Sequence, residues 1–289
     1  MPDATGRGLP AHIAAALAAA GGRADSAGQD WAGRSLDGDG PHHNFEDDDG
    51  AADPAFAAAI AALLNGTGSE AGVVAALAAA RVFVPIVAEL AEPDVSAEGL
   101  TADKESDMAL VTLQAPDGRR VLPAFSSTAA LAAWHPQSRP VAVYAARAAL
   151  SAVADDTQLM VMDPGSDFAF VIRRPALWAL ARQQEWLPSY ADPEVLAALT
   201  PDPGGGQGGK VATITAGPGS GTAGRTSAGT VVAGGGPGPE LRVELGIRAG
   251  LDRAGLDILL AGLQEQWSRK KIIADRVDSM EISAHRADE

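Results

Sequence analysis

The chain has no cysteine. That excludes disulfides, thiol catalysis, iron–sulfur clusters and cysteine-ligated zinc. Positive charge is scarce: 22 Lys and Arg stand against 37 Asp and Glu, a net charge of −15 at pH 7. Phosphate backbones and anionic membrane surfaces are bound through Lys and Arg, so neither nucleic acid nor membrane is an expected partner. No stretch approaches the roughly 18 to 20 apolar residues needed to span a bilayer. Ala11–Ala20 follows Arg7 in loose imitation of a signal peptide. His12 interrupts it, however, and Ile13 and Leu17 are spaced for a short amphipathic helix, so a cytoplasmic location is expected. Only five histidines occur, which leaves little room for imidazole catalysis.

What is present suits a folded protein. The 289 residues are 46% hydrophobic and 20% charged, enough chain for about two domains with buried cores. Residues 1–53 hold ten acids against three arginines and few large apolar groups, which predicts an acidic flexible arm. Order is expected from Asp53, an N-cap followed by Pro54, with Phe56, Ile60, Leu63 and Leu64 at helical spacing until Asn65-Gly66. A second helix starts at Ser69 and leads into Val82–Leu90, a buried strand whose Pro85 predicts an edge or a bulge.

Two later stretches share a β–turn–β–α plan. Met108–Leu113 and Val121–Phe125 flank Pro116-Asp117-Gly118, then a helix runs from about Ser127 to Trp134. Leu159–Met162 and Phe168–Ile172 flank Asp163-Pro164-Gly165, then a helix begins near Pro175. In such turns Pro presets φ, Asp caps and Gly takes φ > 0. A short strand at Val141–Val143 and a helix over Ala145–Ala154 lie between them. Residues 201–239 contain 14 Gly and 5 Pro and read as a linker, with a short strand at Val211–Thr215. Leu241–Ile247 alternates apolar and polar as a half-buried strand does. A helix with Leu256, Leu260, Leu263 and Trp267 on one face follows, and Met280–Ala284 alternates again. The expectation is an α+β protein: a domain over 54–200 with a mixed sheet and β-hairpin–helix units, the linker, and a small β-α-β domain over 240–289.

No motif reaches the density of an active site. Gly204–Lys210 has the glycine and lysine spacing of a P-loop, yet Val211 stands where the metal-binding Ser or Thr belongs. His42 and His43 lie near Glu46, Asp47, Asp48 and Asp49, without EF-hand spacing. Gly217–Gly221 lacks the glycine placement of a nucleophile elbow. No catalytic residue, metal or cofactor is expected. Trp134, Trp178 and Trp267 fall on apolar helix faces and read as core. Trp31 and Trp186 sit in less regular sequence. With Gly33, Arg34, Asp47, Asp48 and Asp49 they are the candidate interaction residues. An indole in an acidic arm is expected to dock, on its own domain or on a partner.

Several runs together resemble the SseB family as it occurs in high-GC Gram-positive bacteria. They are Trp31-Ala-Gly-Arg34, Asp47-Asp-Asp-Gly50 with Pro54, Phe83-Val-Pro-Ile-Val87, Asp107–Val111, Leu122-Pro-Ala-Phe125, Arg174–Leu180 and Trp186-Leu-Pro188. Gly250–Leu256 and Asp275–Glu281 extend the resemblance into the tail. It implies an N-terminal SseB-type α+β domain with a smaller C-terminal one, and brings no catalytic residues. The family name comes from an enhanced serine sensitivity phenotype. Two readings follow: a non-enzymatic binding or regulatory module with a protein partner, or a small-molecule-binding protein or enzyme connected with amino-acid metabolism.

Overall fold

Local signals place most of the elements. Asp53 accepts the Ala55 and Phe56 amides ahead of α1 (Pro54–Leu64), and Ser69 accepts that of Gly72 ahead of α2 (Glu70–Leu77). Ser127 caps α3 (Thr128–Trp134) in the same way. Before α1 the chain is already pinned: the Gly50 carbonyl accepts the Thr128 amide at 3.0 Å, and that of Ala51 accepts Arg81 Nη2 at 2.7 Å. The computed structural model describes Phe45 and residues 48–89, 107–201 and 209–287.

Two sheets occupy the first part. β1 (Arg81–Glu89) lies between β2 (Asp107–Leu110) and β5 (Arg139–Tyr144), antiparallel to both. Pro85 is therefore in a central strand, not on an edge. It is tolerated because Pro140 of β5 stands opposite it, so two residues without an N–H share one ladder position. The other sheet runs β3 (Leu113–Gln114), β4 (Arg120–Ala124), β6 (Leu159–Met162), β7 (Phe170–Ile172). β3–β4 and β6–β7 are the two antiparallel hairpins, joined by the parallel pair β4–β6. Met108–Leu110 is not part of the first hairpin; it pairs with β1. Helices α4 (Ala145–Ala154) and α5 (Arg174–Ala181) bury Ala149, Ala152, Leu177 and Leu180 in a core shared with this sheet and α1–α2.

The described part of the glycine-rich stretch, residues 209–239, is built into strands. It forms β8 (Val211–Pro218), β9 (Ala223–Arg225) and β10 (Val231–Gly235), the last two an antiparallel pair. Its glycines permit close approach more than flexibility. A Cβ on Gly221 would collide with the Gly238 carbonyl carbon, and one on Gly235, at φ +72°, would lie 2.5 Å from Phe170 Cδ2.

The third sheet is β12–β11–β8. β11 (Leu241–Ile247) and β12 (Met280–Arg286) are parallel, connected through α7 (Arg253–Ser268) and α8 (Lys271–Arg276), a β-α-β unit. The two large cores divide the chain differently from its composition. The first takes Val232 of β10 together with Phe168, Phe170 and Trp186. The second takes Val195 of α6 (Pro193–Ala198) and Leu199 together with Val243 and Leu245 of β11 and Trp267 of α7. Thus α6, inside the expected first domain, packs with the C-terminal unit, while β10, inside the expected linker, packs with the N-terminal one. The described residues from Asp49 onward form one compact unit.

Candidate functional site

Two constellations of polar and aromatic groups stand out. The first is buried. Arg173 precedes α5 and Glu70 opens α2, and both are 3% exposed. Arg173 Nη1 donates to Glu70 Oε1 at 3.2 Å; Nη2 donates to the carbonyls of Gly221 and Gly236 at 3.0 and 2.5 Å. The same Glu70 oxygen accepts the Gly235 amide at 2.7 Å, and Oε2 accepts the Tyr190 hydroxyl at 3.3 Å. Nearby, Glu240 is fully buried and accepts the amides of Ser189 and Asp278, both at 3.0 Å. Burial raises the Glu240 carboxyl above its ordinary range against these bonds. Burial first, and the Glu70 carboxylate second, push the Tyr190 phenol up. This centre ties the glycine-rich strands to α2 and α5. Arg173 Nε has no partner among the described residues.

The second constellation is open. Past the end of α5 the chain turns through Gln183 at φ +53°. The turn and α8 enclose a pocket of about 390 Å³, lined by Trp178, Arg182, Glu185, Trp186, Asp192 and Arg276 among others. Two guanidiniums approach the Trp178 ring, Arg174 at 5.3 Å and Arg182 at 5.4 Å from its centre. Arg174 is committed elsewhere, donating to the Ala274 and Val277 carbonyls at the end of α8. Arg276 pairs with Asp192 and Glu194, each at 2.8 Å. Burial would raise the Asp192 carboxyl, but Arg276 and the Glu194 amide outweigh it and hold it low. Arg182 and Glu185 are exposed, without hydrogen-bond partners among the described residues. Trp186 is 9% exposed, packs in the first core, and its Nε1 has no acceptor among the described residues.

Of the sequence candidates, Trp186 is at this pocket. Asp49 accepts the Ala51 amide at 2.8 Å at an exposed position, and Asp48 donates its own amide to the Phe45 carbonyl at 3.1 Å. Trp31, Gly33, Arg34 and Asp47 lie outside the described residues, as do His42 and His43. Lys210 stands directly before β8, the wrong side of a strand for a P-loop. Ser220 of the elbow-like run donates to Glu281 at 2.6 Å. Sequence reading missed Trp178 as a pocket residue because its spacing on α5 fits a core face equally well. It missed Glu70 and Arg173 because a first-turn acid and an arginine just ahead of a helix ordinarily face water.

No curated protein and no solved structure matches the chain. Residues 56–179 match the family model described as SseB protein N-terminal domain. That span runs from α1 to just past Trp178 of α5 and includes both hairpins. On this match residues 56–179 are an SseB-type N-terminal domain.

Proposed function

We propose that this protein is a non-enzymatic binding or regulatory module that engages a protein partner at the α5–α8 pocket. The observation that carries the reading is Trp178 under the Arg182 guanidinium, beside an exposed Glu185 and a half-exposed Leu187. Tryptophan and arginine are among the residues most enriched at interface hot spots, and an unengaged charge at a rim steers association. The pKa shifts support the same reading. Tyr190, Glu240 and Asp163 are raised mainly by burial, and their bonding partners belong to the fold rather than to a pocket. Trp31, Gly33, Arg34 and Asp47–Asp49 are assigned to partner contact in this reading, and the protein to the cytoplasm. Among the described residues no helix is long and apolar enough to cross a membrane.

The test is purification of the full chain and of Arg182→Glu from host cells, with quantitative mass spectrometry. Specific proteins retained by the wild type and lost from the variant, at equal melting temperature, are expected. An unchanged set of co-purifying proteins overturns the reading. The pocket volume favours the second reading, since about 390 Å³ lies within the range of small-molecule sites. Saturable binding of a free amino acid, abolished by Arg182→Glu, would decide for it.

A further inference from the structure

The third sheet ends in a group of cations that the α5–α8 pocket does not use. β8 begins at Val211, β11 ends at Ile247 and β12 ends at Arg286, and the register sets Ile247 beside both Val211 and Arg286. Lys210, Arg248 and Arg286 are thereby brought to one end of the sheet. The Arg248 amide donates to the Lys210 carbonyl at 2.9 Å, which fixes those two backbones side by side. Arg253, the first residue of α7, joins them. Arg248, Arg253 and Arg286 line a groove of about 460 Å³ with His285 and the apolar residues Leu251 and Leu256.

None of these four cations makes a side-chain hydrogen bond or ion pair among the described residues. That sets them apart from Arg119, Arg173, Arg174 and Arg276, each of which is bonded in place. A chain of net charge −15 has acids to spare, yet among the described residues two line this groove. Asp252 is already engaged: its Oδ1 accepts the Gly255 amide at 2.8 Å and closes the start of α7. The Asp252 carboxylate at the helix terminus opposes an anion there, so attraction for one comes from the arginine side chains. Asp257 is the other, one turn along the helix.

We propose that this groove binds a small organic oxyanion, a phosphate or carboxylate carried on an apolar body. The planar guanidinium fork matches either oxyanion bidentately, and three arginines from different parts of the chain line this groove. Leu251 and Leu256 provide the apolar floor that the rest of the molecule would cover. The groove lies beyond the carboxyl ends of the parallel strands β11 and β12, where parallel sheets commonly hold ligands.

The experiment titrates the full-length chain with phenyl phosphate, benzoate and benzylamine by calorimetry at low salt. One of the two anions is expected to bind saturably at one site, and the tighter of them identifies the oxyanion. Benzylamine is expected not to bind. The double variant Arg253→Gln, Arg286→Gln should weaken the binding at least about tenfold. Its melting temperature should stay unchanged because both side chains are exposed. Arg182→Gln, in the α5–α8 pocket, should leave the affinity as it was. Absence of saturable binding at millimolar anion overturns the proposal. So does equal binding of benzylamine, or an affinity that the double variant does not change.

Discussion

The Glu70–Arg173 centre and the Trp178–Trp186 pocket contain similar residue types and opposite bonding states. In the centre, one carboxylate and one guanidinium share a hydrogen bond, make four more to Gly221, Gly235, Gly236 and Tyr190, and face no solvent. In the pocket, Arg182 and Glu185 are exposed, with their hydrogen-bonding capacity unused among the described residues. Exposed spare capacity marks where a partner can bind; buried capacity spent on the chain's own groups marks where it holds itself together. The pKa shifts occur in both regions: burial raises Tyr190 and Glu240 at the centre, and the bond to Arg276 helps hold Asp192 low at the pocket, each traced to a group of the chain itself.

Disrupting the centre should destabilise the protein most. Glu70→Ala leaves the buried Arg173 guanidinium without its hydrogen-bonded counter-charge, and unfolding in urea should show a loss of about 3–5 kcal/mol. A loss below about 1 kcal/mol would mean that water enters and solvates Arg173, and the contrast between the two regions would fail. Gly235→Ala tests the same centre through the backbone. The new Cβ meets Phe170 at 2.5 Å in a left-handed conformation, so a destabilisation of about 1–3 kcal/mol is expected.

Acid titration separates the two regions by their charge state. Glu240 has a raised carboxyl in the folded protein, so its contribution is fully present below the unfolded value and lost as pH rises through the folded one. The stability advantage of the wild type over Glu240→Gln should therefore be greatest at acid pH and shrink above the ordinary carboxylate range. An advantage that grows with pH would assign Glu240 to a favourable ion pair. Limited proteolysis reads the glycine-rich strands: cleavage is expected to spare 211–239, because those residues pair and pack. Early cuts there, before any within 105–175, would restore the linker. The pocket should matter least to stability. Trp178→Ala with Arg182→Ala should change it by less than about 1 kcal/mol while removing partner binding.

Legibility in the sequence follows the range of each interaction along the chain. Asp53-Pro54, Ser69 and Ser127 announced their helices because a cap acts within three residues of itself. Pro116-Asp117-Gly118 and Asp163-Pro164-Gly165 announced their hairpins for the same reason, and the alternation of Leu241–Ile247 announced β11. Pro85 misled, because its partner Pro140 is far along the chain and only pairing discloses that the two stand opposite. At the candidate site, the irregular setting of Trp186 was readable, whereas the neighbours that make it a pocket come from α5 and α8.

Short-range patterns were enough for the α+β class, most helix starts, both hairpins and the β-α-β tail. Each rests on contacts a few residues apart or on a period of two or about 3.6. What the glycines of 211–239 are for emerges only on folding. Glycine confers flexibility where nothing lies near it and close contact where something does, and the composition is the same in both cases. Here Glu70 reaches the Gly235 amide across 165 residues of chain. Only the folded chain brings that carboxylate, Arg173 and the backbone of Gly221, Gly235 and Gly236 within hydrogen-bonding distance. Their mutual burial then couples the residue types to one another, because a buried charge without its partner costs a large fraction of a domain's stability.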